Sequence, residues 1–139
     1  MLQSAVIKIS LREPARRITE MLAAMRSFGV EQVHLVHVRA GNQKKFYKRK
    51  HGELEGLREQ AAELGLEAEK HVLEGHPSTR ILQASWQLDA DFIAIPWVKK
   101  AVLQQALLGS IDEDIVRMSD MPVFIFKQGF LSRTESLDS

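Results

Sequence analysis

The hydrophobic pattern of this chain changes period again and again, and that alternation limits the folds open to it. "AVIKI" (5–9) is a short run of branched apolar residues. Pro14 then opens a stretch with Ile18, Leu22, Met25 and Phe28 at helical spacing, ended by Gly29. "QVHLVHV" (32–38) is apolar at nearly every position, which predicts a strand buried on both faces. Between Gly41 and Leu66 a basic cluster precedes a helical repeat of Leu54, Leu57, Ala61 and Leu64, stopped by Gly65. "AEKHVLEG" (68–75) is a weaker, partly polar strand, and Pro77 sits where the first turn of a helix tolerates a missing N–H. "DFIAIPW" (91–97), a helix over roughly 110–119 and "VFIFK" (123–127) complete the series. Strand and helix alternate four times before a fifth strand. Such an order predicts an α/β fold: a five-stranded, mostly parallel sheet with helices on both faces.

At 139 residues, 45% hydrophobic and 27% charged, the chain suits one domain over 1–128, followed by a polar tail at 129–139. Nineteen Lys and Arg against 18 Asp and Glu leave a net charge of +1, so nothing draws the whole molecule toward nucleic acid. No cysteine is present, which excludes disulfides, thiolate metal sites and a cysteine nucleophile. No apolar stretch reaches the roughly 18 residues of a membrane helix, and no export signal is evident, so a cytoplasmic location is expected.

In a parallel sheet ligands bind beyond the C-terminal strand ends, at the point where strand order reverses. That directs attention to Ser10–Arg12, Val38–Gly41 and Ile95–Asp112. In "IPWVKKAVLQQALLGSIDED" (95–114), Gly109 and Ser110 directly precede the last helix, the arrangement of a phosphate cradle. Ser110 is expected to cap that helix or to contact a ligand. Asp112, Glu113 and Asp114 place carboxylates in its first turn, which favours the helix dipole but occupies the niche a triphosphate would need. Like charges about 4 Å apart repel by roughly 1 kcal/mol in water and by several at an effective dielectric near 20.

These pieces resemble the universal stress protein family over residues 3–127. Its nucleotide motif is glycine, two residues, glycine, nine residues, then glycine with serine or threonine. Gly109 and Ser110 match; Pro96 and Lys99 stand at the first two glycine positions. "LVHV" (35–38), "STRILQASWQLDADFIAI" (78–95) and "GSIDEDIVRMSDMPVFIF" (109–126) are similar to the family's second strand, its third helix and fourth strand, and its closing helix and strand. The resemblance implies a Rossmann-like, adenine nucleotide alpha hydrolase-like three-layer sandwich. It implies an adenine-nucleotide cleft at Ser10, Val38, Pro96, Lys99, Gly109, Ser110, Ile111 and Asp112. Ser10 stands where ATP-binding members carry an aspartate, and Leu11 and Arg12 where glycine and serine commonly follow. Proline removes an N–H donor, and a serine cannot offer a carboxylate to two ribose hydroxyls.

The expectation is therefore a stress-response domain acting by dimerisation and ligand or partner binding, with ATP binding weak or lost. An adenine-nucleotide sensor and a nucleotide hydrolase are the alternatives; no catalytic residues are assigned. In this family the last strand often joins a two-fold partner, which implies a homodimer through Val123, Phe124, Ile125, Phe126 and Lys127.

The remaining constellations carry less. "KKFYKRKH" (44–51) is the one dense basic patch and reads as a solvated loop and helix start. His34 and His37 are three apart in a strand and face opposite ways, while His51, His71 and His76 lie in separate segments, so no metal site is expected. His37 reads as a hydrogen-bonded core residue, and Trp86 and Trp97 as packing residues.

Overall fold

The computed structural model describes residues 2–41, 44–97 and 109–127, of which 44–49 and 51 by their backbone alone. The elements run β1 (Ser4–Lys8), α1 (Ala15–Ser27), β2 (Gln32–Arg39), α2 (Lys44–Glu63), β3 (Glu67–Glu74), α3 (Pro77–Gln87), β4 (Phe92–Trp97), α4 (Ser110–Met118) and β5 (Val123–Lys127). The five strands form one sheet in the order β3-β2-β1-β4-β5, every neighbouring pair parallel. The expected fold class is thus observed.

Side-chain alternation divides the apolar residues between two cores, one on each face of the sheet. Ala5, Ile7, Ile9, Val33, Leu35, Phe92 and Ala94 meet Ile18, Leu22 and Met25 of α1 and Leu54, Leu57 and Ala61 of α2. Val6, Val36, Val38, Ile93 and Ile95 meet Ile81 and Ala84 of α3 and Ile115 of α4 on the other face. Both faces of β1, β2 and β4 are covered, which is why these strands are nearly uninterrupted apolar runs. The start of β1 is fixed by Asp91, whose Oδ2 accepts from the N–H groups of Gln3 (2.9 Å) and Ser4 (3.0 Å).

Several local expectations change. The basic segment is helical, since α2 begins at Lys44. Phe28 leaves the α1 stripe: it is the C-terminal cap residue, half-exposed, and its ring lies 6.4 Å from Phe126 at an interplanar angle of 6°. Trp86 does not pack, being 78% exposed on α3.

Directly after β1, Leu11 takes a left-handed backbone with φ 66°, yet its side chain is buried in the first core. A non-glycine residue there costs about 1–2 kcal/mol, and the buried side chain offsets it. Leu11→Gly relieves the torsion but removes the side chain, whose loss costs about 2–5 kcal/mol. Urea unfolding should therefore show a net destabilisation of up to about 4 kcal/mol; a stabilised variant would mean that torsional strain outweighs burial.

Candidate functional site

The strand order reverses between β1 and β4, and in parallel sheets ligands bind beyond the C-terminal strand ends at such a point. On the β1 side, Ser10 is tied down. Its N–H and its hydroxyl both donate to Glu13 Oε1 at 2.8 Å, and its Oγ accepts from the Arg12 N–H at 3.1 Å. The position that the family resemblance assigns to an aspartate therefore holds a serine engaged with a carboxylate three residues later. Leu11, at a position where glycine is common, keeps the left-handed conformation that glycine would take without strain.

On the β4 side, Pro96 is buried within the strand, opposite Phe126 of β5, and Trp97 is its last residue. The residue expected to open the loop thus belongs to the sheet. Lys127 Nζ lies 6.0 Å from the centroid of the Trp97 ring, at the same end. Lys99 lies outside the described residues.

Below them α4 presents its N-terminus. Gly109 is the cap residue, with φ −64° and ψ 160°, and no side-chain hydrogen bond closes the turn. Ser110 is already the first helical residue and is exposed, so the capping role expected of it is not observed. An N-cap side chain must precede the helix to reach its free N–H groups; glycine occupies that place here. Ile111 leans on the second core and Val38 is buried in it.

Asp112, in the first turn of α4, pairs with Lys8 at the C-terminal end of β1 (Nζ–Oδ1 2.7 Å), both side chains largely buried. The cation compensating Asp112 thus comes from β1, an arrangement that spacing within the loop did not foretell. Lys8 shares the sheet face of Val6, toward α4, because residues two apart in a strand point the same way.

His37 behaves as a core residue. It is 2% exposed, and its Nδ1–H donates to the Ile9 carbonyl at 2.8 Å. Burial pushes its imidazole below the ordinary value; the Ile9 hydrogen bond and the Glu13 carboxylate pull upward, while Arg39 and Arg12 push further down. His34, on the opposite face, stands beside Glu69 and His71 of β3, with Nδ1 of His34 3.0 Å from Nε2 of His71. Residues compared along the chain did not reveal this cluster, because strand pairing assembles it.

With this geometry in place, comparison with known proteins is unambiguous as to family. Residues 12–127 match the model of the universal stress protein family, and the chain belongs to that family. A universal stress protein of Methanocaldococcus jannaschii is 29% identical over 75 residues, which are 54% of this chain and 44% of that relative. The matched part thus spans less than half of the relative's length.

Solved structures share the fold. An Archaeoglobus fulgidus universal stress protein in complex with dAMP has a TM-score of 0.66 at 20% identity, covering 90% of this chain and 98% of its own. A universal stress protein in complex with cAMP gives 0.69 at 16%, covering 91% and 97%. An Arabidopsis thaliana family protein with AMP bound gives 0.64 at 16%, covering 94% of each chain. Among the described residues no helix is long and apolar enough to cross a membrane.

The buried neutral His37 makes stability depend on pH. Because its folded pKa lies below the ordinary 6.5, the unfolded chain binds the proton more readily. Its contribution is complete above about pH 6.5 and is lost as pH falls from there toward the lowered folded value. Thermal unfolding should show Tm dropping between about pH 7.5 and 5.5. A Tm that is flat or rises on acidification over that range would contradict a buried neutral imidazole.

Proposed function

We propose that this domain acts by association and ligand or partner binding, without turnover, and that its affinity for ATP is weak or lost. The observation carrying this reading is the Lys8–Asp112 pair, which sets a carboxylate in the first turn of α4, where the family resemblance puts phosphate contacts. Asp112 occupies part of the positive end of the helix dipole, and Lys8 is committed to Asp112. Two further features agree. Ser10 spends its hydroxyl proton on Glu13, and Pro96 contributes no N–H.

A second reading, an adenine-nucleotide sensor, has support of its own. Three of the similar folds were solved with AMP, dAMP or cAMP, ligands that need less room for phosphate than ATP. Gly109 has an ordinary φ, and a Cβ there would meet no atom within 4 Å among the described residues. Close approach of a ligand is then one physical reason for a glycine that its described neighbours do not require. A nucleotide hydrolase has no comparable support: Ser10 donates to Glu13, but among the described residues no serine, histidine and carboxylate are linked as a triad there.

Titration calorimetry with ATP, ADP and AMP, with and without magnesium, decides between the readings. Weak or undetectable ATP binding is expected for the natural sequence. In Asp112→Ala the carboxylate is gone and Lys8 is released, so phosphate affinity should rise by about tenfold or more. Tight ATP binding by the natural sequence, or no gain in Asp112→Ala, counts against the blocked cleft.

The same reading places the domain in the cytoplasm as a homodimer joined through β5. This strand forms one edge of the sheet, its side chains are only partly buried, and an exposed apolar edge favours coverage. Light scattering at high micromolar concentration should give twice the chain mass of 15.8 kDa. A monomer there would refute pairing through Val123–Lys127.

A further inference from the structure

At the opposite edge of the sheet from β5, three metal-ligating side chains meet on one face. His34 on β2 is directly opposite Glu69 on β3, and His71 is two residues further along β3, so all three point to the same side. That side is the face of α3 and α4, to which Val36 and Leu73 also belong. His34 Nδ1 and His71 Nε2 are 3.0 Å apart, and Glu69 Oε2 is 3.5 Å from each.

We propose that His34, Glu69 and His71 form a binding site for a divalent transition-metal ion of the zinc type. Tetrahedral zinc with bonds of about 2.0–2.2 Å requires its ligand atoms to be roughly 3.3–3.5 Å from one another. Two edges of the observed triangle, 3.5 Å each, match this, and the 3.0 Å edge between the two imidazoles has to open by a few tenths of an ångström; a point about 1.9 Å from all three atoms lies at its centre, and an ion slightly out of that plane reaches ordinary bond lengths.

The donor chemistry agrees with the geometry. Two imidazoles and one carboxylate, with no thiolate, suit zinc and its first-row neighbours over calcium or magnesium, which prefer oxygen alone. The burial gradient fits as well. His34 is 3% exposed, and its Nε2 has no hydrogen-bond partner among the described residues, so the ring's polar contacts all lie on the Nδ1 side. His71 is a quarter exposed and Glu69 more than half, which leaves a path from solvent and a fourth position for water or an anion.

The site is separate from the cleft. His34 is five residues before Arg39, the C-terminal residue of β2, or about 16 Å along the strand. Its consequence is structural: an ion there ties the edge strand β3 to β2, so binding energy adds to folding energy.

The test uses the full, tag-free chain after treatment with a chelator. Calorimetric titration with Zn²⁺ should give one ion per chain and a higher Tm. His71→Ala and Glu69→Gln, both at partly exposed positions on an edge strand, should each weaken binding by at least about tenfold, while His76→Ala and His51→Ala should not. Co²⁺ should give the visible absorption of a four-coordinate site in the natural protein, and His71→Ala should lose it. No stoichiometric Zn²⁺ binding, or binding unaltered in both His71→Ala and Glu69→Gln while their folds are intact by circular dichroism, overturns the proposal.

Discussion

The backbone of β1 is enclosed, and a buried peptide group must find a partner. Parallel pairing with β2 on one side and β4 on the other supplies those partners, in registers that place Ile7 beside Leu35 and Ala94. Much else follows from this central position. Its side chains feed both cores, Ala5 and Ile7 toward α1 and α2, Val6 toward α3. Its start is held by Asp91, directly before β4, and its last residue, Lys8, meets Asp112 in the first turn of α4.

At that level polar groups of β1, of the turn after it and of α4 satisfy one another. Ser10 turns to Glu13, and Asp112 turns to Lys8. An internal ion pair of this kind, with both side chains largely withdrawn from water, is costly to break unless each charge gains a replacement partner. On the proposed reading, a phosphate binding there must win Lys8 from Asp112 and leave that carboxylate near its own negative charge.

Much of the fold was legible because periodicity reports burial directly. The alternation of strand and helix, the stops at Gly29 and Gly65 and the first-turn Pro77 all correspond to observed boundaries. Legibility failed where a residue's role depends on what packs beside it. Trp86 is large and apolar but has no core against it; Phe28 sits beyond the helix end and meets Phe126 from a distant strand. Ser110 looked like a cap, but the helix begins one residue too early for it to serve.

Sequence by itself determined the parallel α/β architecture and the family resemblance, since each rests on local spacing and on the order of elements. Tertiary structure alone decided which charges meet. Lys8 and Asp112 are 104 residues apart, and His34 reaches Glu69 and His71 only through the register of β2 on β3. Hydrophobic pattern fixes which face a side chain occupies, whereas its polar partner is set by strand order and register, which bring together residues that no local spacing connects.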